Sequence, residues 1–142
     1  MTEPDSAVDS KELLTLARGA AKHSYSPYSK FPVGAALLCD DGTVVTGTNI
    51  ENRSFGLTNC AERSAIFTAL SMGKRSFTAI AVSCPEAEAA VSPCGGCRQV
   101  LSEFCPPAMP VYFAGRDGVP RATTIGELIP MDSLHSLKNG VS

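Results

Sequence analysis

Three cysteines and one glutamate carry the chemistry legible in this chain. Cys94 and Cys97 stand two residues apart in "VSPCGGCRQVL", and Cys60 opens "CAERSAIFTALSMG" with Glu62 two positions later. A Cys-x-x-Cys pair alone fits a redox couple, half of a structural zinc knuckle, or part of a catalytic metal site. Thiolates are soft donors and favour zinc over magnesium or calcium. A structural zinc takes four protein ligands, whereas a catalytic one keeps three and leaves a position for water. No fourth ligand stands out. Cys39, Cys84 and Cys105 end apolar runs and read as small core hydrophobes; His23 closes the first helix and His135 falls in the C-terminal tail. Glu62 is placed to move protons beside the metal without becoming a ligand.

Such a site needs two distant segments brought together. From Ser10, "SKELLTLARGAAKHS" puts Leu13, Leu16, Ala17, Ala20 and Ala21 at helical spacing, with Ser10 as the expected N-cap. Residues 1–9 read as a loose tail and 131–142 as a C-terminal tail. "YSPYSKFP" is a loop, and "VGAALLCDDGTVVTGTNI" is a β-hairpin turning at Asp41-Gly42. A helix follows from Cys60, with Ala65, Ile66, Ala69 and Leu70 as its apolar stripe and Gly73 as its stop. "FTAIAVSC" and "PVYFAG" are apolar enough for buried strands, and "CRQVLSEF" is a helix facing inward with Val100, Leu101 and Phe104. "VPRATT" is a last short strand, followed by one helical turn at Ile125 to Leu128.

The order α-β-β-α-β-α-β-β-α predicts an α/β fold, with parallel strands in the middle of a sheet and helices on both faces. In such sheets sites form at the carboxyl ends of strands, where the next helices begin. Cys60 opens one of those helices and Cys94 and Cys97 the other, so two helix N-termini converge on one point. Their dipoles and free N–H groups favour thiolate. Pro93 and the two glycines, Gly95 and Gly96, are expected to let the backbone turn tightly before that helix starts.

Bulk properties narrow the partners. The chain has 142 residues, enough for one domain, and is 44% hydrophobic and 18% charged, as a globular protein is. Net charge is −2 with no Lys/Arg stripe, which argues against a nucleic-acid partner. No apolar run is long enough for a membrane span. The N-terminus, "MTEPDSAVDSKE", is polar and acidic, unlike a secretory signal, so six cysteines point to a reducing, cytoplasmic setting.

"CAE" followed some thirty residues later by "PCGGC" has the layout of zinc nucleobase deaminases, in the variant with Cys as first ligand. With "YSPYSKFPVGAAL", "GTNIENRS" and "VSPCGGCRQVLSEF" in order, the chain from Tyr25 to Pro130 resembles the small homotetrameric cytidine deaminases. The resemblance implies a three-layer α-β-α sandwich with a mixed five-stranded sheet, and one zinc ion per subunit held by Cys60, Cys94 and Cys97. It implies proton transfer by Glu62, and hydrolytic deamination of cytidine and deoxycytidine in pyrimidine salvage. Phe31 would pack against the pyrimidine, the Ala61 backbone would contact the base, and Arg63 would hydrogen-bond to the thiolates. Asn49 and Glu51 would hold the sugar hydroxyls; two apart on an extended segment, they point to one side. Arg63 also answers a charge requirement, because three thiolates leave Zn²⁺ at a net −1. Tyr28 lines either the pocket or a subunit boundary.

One departure concerns the tail. "LIPMDSLHSLKNG" lacks the aromatic residue that family members carry after their Leu-Pro block, and Leu134 is the candidate apolar replacement. Three rival activities share parts of this pattern. They are a related aminonucleoside deaminase acting on a bulkier cytosine antibiotic such as blasticidin S, a polynucleotide cytidine deaminase, and a non-catalytic zinc-binding interaction module. The acid at Glu51 favours a plain ribose over the first. The scattered cations disfavour the second. Glu62 and the missing fourth ligand disfavour the third.

Overall fold

The structure is a computed structural model that describes residues 8–132 together with 134 and 137. Helix α1 spans Ser10–Ala20 and continues into a 3₁₀ turn, Ala21–His23. Its N-cap is Asp9 rather than Ser10: the Asp9 carboxylate accepts from the Glu12 N–H at 2.8 Å. Val8 packs against the core beside this helix, so residues 8 and 9 are not the loose tail expected, while residues 1–7 lie outside the described residues. Leu14, not Leu16, completes the buried stripe, because Leu13, Ala17, Ala20 and Ala21 centre the apolar face on Leu14's side. Leu16 is exposed.

The hairpin forms as the Asp-Gly turn predicts, with β1 at Gly34–Cys39 and β2 at Val44–Thr48. Next come α2 (Ala61–Ser71), β3 (Phe77–Ser83), α3 (Gly95–Phe104), β4 (Pro110–Ala114), β5 (Arg121–Thr124) and α4 (Ile125–Leu128). The five strands form one sheet in the order β2-β1-β3-β4-β5. Strand β1 pairs antiparallel with both β2 and β3, β3 and β4 are parallel, and β5 is antiparallel to β4. Parallel pairing is therefore confined to β3–β4. The hairpin places β1 between β2 and β3, so the crossover through α2 passes over β1. Strands β2, β3 and β4 still run in one direction, and two of them feed helices that begin at the same end of the sheet.

Both faces of the sheet are covered. Along β1, Ala35, Leu37 and Cys39 enter the core beneath α2 and α3, while Ala36 and Leu38 face α1. This alternation, with both faces buried, explains why "GAALLC" has no polar residue. Leu37, Ile66, Ile80, Leu101 and Val111 are fully buried in the first core, each contributing about 1.5–3 kcal/mol by area removed from water. The mixed five-stranded sheet between two helical layers matches the expectation.

Two glycines set how closely the helices approach. A Cβ at Gly47 in β2 would lie 2.4 Å from the Ala65 nitrogen and 2.7 Å from the Ala61 oxygen of α2. At Gly34 in β1 it would lie 1.9 Å from the Ala17 oxygen of α1. Because α2 rests its backbone on β2, Gly47→Ala should push that helix off the sheet. The expected loss is about 1–3 kcal/mol, read as a lowered denaturation midpoint, with a fall in retained zinc.

Candidate active site

Cys60 is the N-cap of α2 (φ −79°, ψ 158°) and Cys94 the N-cap of α3 (φ −69°, ψ 168°). Neither sulfur caps its own helix, which leaves both free for a shared ligand. Cys97 lies in the first turn of α3 and is fully buried. The three Sγ atoms fall within 4.8 Å of one another, and those of Cys60 and Cys94 are 3.8 Å apart. Tetrahedral zinc with Zn–S bonds of about 2.3 Å needs sulfurs about 3.8 Å apart, so the spacing fits. Among the described residues no fourth His, Cys, Asp or Glu joins the cluster.

Gly95 and Gly96 belong to the first turn of α3 rather than to a bend ahead of it, and neither adopts a positive φ. The expected tight turn is absent; the extended conformation of Cys94 alone delivers the chain into the helix.

The electrostatics suit a metal. A hydrogen bond from Cys97, with a further one from Arg63, holds the Cys60 thiol down to about 5. The Cys97 thiol, donor in that pair and buried, is pushed well up. The Arg63 Nη2 donates to Cys60 Sγ at 3.1 Å, while its buried Nε has no partner. Glu62, 5% exposed, has its carboxyl pushed up to about 7, chiefly by burial and secondarily by the Cys60 charge.

A cleft opens beside the cluster, walled by Phe31, Asn49, Ala61, Glu62, Val82 and Cys84, with Cys60 and Cys94 at its edge. Cys84, read from sequence as core filler, is buried as expected but also lines this cleft. Burial and the neighbouring Glu62 push its thiol up to about 11, so it stays neutral. The segment 49–51 is pinned by main-chain bonds: Ile50 exchanges bonds with Asn59, and Tyr25 with Asn49 and Glu51.

Asn49 and Glu51 do more than line a pocket. Asn49 Oδ1 accepts from the Val33 N–H and the Ser24 hydroxyl, and its Nδ2 donates to the Phe31 carbonyl at 2.9 Å. Glu51 sits in an adjoining hollow with Tyr28, Phe55 and Thr58, and Thr58 also borders the main cleft. Tyr28 belongs to that hollow, stacked edge-on against Phe55 at 6.5 Å. Leu134 lines a groove with Phe67, Val100 and Phe104 on its own chain. His135 lies outside the described residues.

Sequence reasoning missed Arg98. Its guanidinium donates to the Pro93 carbonyl at 2.7 Å, the Ser92 hydroxyl at 2.9 Å and the Leu128 carbonyl at 3.0 Å. It thereby fixes the approach to Cys94 and ties α4 to it. The signal was present: a cation so near a helix N-terminus opposes the dipole and needs a compensating partner.

Fold and site together define a zinc-dependent deaminase of the α/β sandwich class. The chain belongs to the cytidine and deoxycytidylate deaminase family, whose zinc-binding region matches residues 8–113. It is 51% identical over 123 residues to a cytidine deaminase of Sporosarcina psychrophila, covering 87% of this chain and 90% of that one. The crystal structure of the cytidine deaminase from Burkholderia pseudomallei superposes with a TM-score of 0.81 at 46% identity, covering 84% and 94% of the two chains. A blasticidin-S deaminase of Bacillus cereus is similar at 36% identity over 110 residues, covering 72% and 77%.

Cys94→Ala should remove most bound zinc, measured by metal analysis of the purified protein, and lower the melting temperature, since the ion joins two helices. Glu62 gives a second test, in the metal-free protein. Its carboxyl titrates near 7 in the fold against 4.5 normally, so the folded state holds that proton more tightly. The resulting stability is present below about pH 4.5 and is lost as the pH rises to about 7. Relative to Glu62→Gln, the parent's denaturation midpoint should fall across that window.

Proposed function

We propose that this protein hydrolytically deaminates cytidine and deoxycytidine to uridine and deoxyuridine. The observation that carries this is a buried carboxyl, Glu62, beside a three-thiol metal site in a cleft. Zinc held by Cys60, Cys94 and Cys97 supplies the Lewis acidity that makes water a nucleophile near neutral pH. A carboxyl with a pKa close to the working pH both takes and returns a proton efficiently. Glu62 takes one from the attacking water and delivers it to N3 of the base as the oxygen bonds to C4. A second proton then passes from the new C4 hydroxyl through Glu62 to the amino group, the C4–N bond breaks, C4–O becomes the carbonyl, and ammonia leaves.

The other residues bind and orient. Phe31 packs on the pyrimidine, the Ala61 backbone meets its edge, and Asn49 and Glu51 hold a sugar hydroxyl. Arg63 offsets the excess negative charge of three thiolates around a divalent ion. By resemblance to the family, the working form is a cytoplasmic homotetramer with one zinc per subunit, serving pyrimidine salvage. Among the described residues no helix is long and apolar enough to cross a membrane.

An absorbance assay with cytidine, deoxycytidine, CMP and blasticidin S tests the substrate class. The first two should turn over, and a preference for blasticidin S would move the protein to the neighbouring branch. Glu62→Gln should keep its zinc and lose about 10²–10⁴-fold in kcat. Turnover at the parental rate would remove Glu62 from the mechanism.

A further inference from the structure

Counting donors and acceptors around Asn49 and Glu51 leaves little unassigned. The two lone pairs of Asn49 Oδ1 go to Val33 and Ser24, and one of its amide hydrogens goes to the Phe31 carbonyl. One N–H remains. Glu51 Oε1 accepts from the Tyr28 and Ser29 N–H groups, both at 3.1 Å, and Oε2 accepts from the Ser29 hydroxyl. One acceptor direction remains on Oε2. Each remaining site, one N–H on Asn49 and one acceptor direction on Glu51, is of the kind a hydroxyl can fill.

Ser29 connects this remainder to the base wall. Its oxygen, while donating to Glu51, accepts the Phe31 N–H at 3.0 Å. The Phe31 main chain is thus held at its N–H by Ser29 and at its C=O by Asn49. Between them Lys30 has φ +58°, a left-handed conformation that side-chain-bearing residues avoid. The turn therefore depends on the bonds that span it. The same hydroxyl keeps the Glu51 carboxylate below the usual range, so it remains an acceptor.

We propose that Ser29 is a positioning residue for sugar recognition, coupling the Glu51 carboxylate to the Phe31 wall so that hydroxyl capture and base stacking act as one unit. This role rests on the proposed nucleoside deaminase activity. Through Ser29, a hydroxyl bound at Glu51 fixes the loop that presents Phe31. A nucleoside lacking the sugar hydroxyls leaves the unit unengaged.

The test is the ratio of kcat/KM for cytidine to that for 2′,3′-dideoxycytidine, measured on single preparations of the parent, Ser29→Ala and Ser29→Thr. Inactive protein cancels from such a ratio. Ser29→Ala should lower it about tenfold, the effect of losing one hydrogen bond to a charged group. Ser29→Thr, which retains the hydroxyl, should restore it. If Ser29 only held the fold together, both substrates would suffer equally, and an unchanged ratio in Ser29→Ala overturns the proposal. If the parent deaminates cytidine and Ser29→Ala keeps the parental ratio, the activity stands and only the coupling is removed. A parent that deaminates neither nucleoside overturns both.

Discussion

The whole site depends on one geometric constraint: two helices must start at the same point above the sheet. Strands β2 and β3 run in the same direction, so the helices they feed begin at the same end. Cys60 and Cys94 are the residues at which the chain changes from extended to helical, and their sulfurs meet across the gap. Helix N-termini carry unpaired N–H groups and positive dipole ends, the environment thiolates prefer. With the convergence set, the places of Glu62, Arg63 and Cys97 follow, since each lies in the first turn of one of these helices.

The same turn of α2 sorts three charged or ionisable neighbours by environment. Cys60 is stabilised as thiolate by donors, Glu62 is kept from ionising early by burial, and Arg63 bonds to sulfur. The divergence between an acidic thiol and a reluctant carboxyl is what the proposed roles require, the first as ligand and the second as proton carrier. Cys84, lining the same cleft as the carboxyl, adds apolar bulk without adding charge.

Much of this was legible from residue order. The Asp-Gly turn marked the hairpin, the apolar runs marked the buried strands, and the spacing of Cys60, Cys94 and Cys97 marked the metal cluster. What was hidden involves groups that pair across long distances or through the backbone. Position 14 outweighed position 16 because burial follows the centre of a stripe, which pairwise spacing locates poorly. The place of β1 between β2 and β3 is a sheet-level choice that no local pattern encodes. Arg98 and Ser29 each join a side-chain partner, Ser92 or Glu51, to main-chain carbonyls or N–H groups, and those main-chain partners leave no mark in the residue types. Asn49 and Glu51 were singled out, yet their grip on the loop around Phe31 appears only once the fold brings positions 24–33 beside them.

Gly34 and Gly47 occupy adjacent rungs of the hairpin, where Gly34 pairs with Thr48 and Ala35 with Gly47. One takes the backbone of α1 and the other that of α2, on opposite faces of the sheet. At this corner the three-layer sandwich is reduced to main chain, with no side-chain padding between layers. Displacement of α1, a helix with no chemistry of its own, has no soft material to absorb it before it reaches the turn bearing Cys60 and Glu62. This corner is therefore a direct main-chain link from α1 through the hairpin to the helix that opens with Cys60 and Glu62.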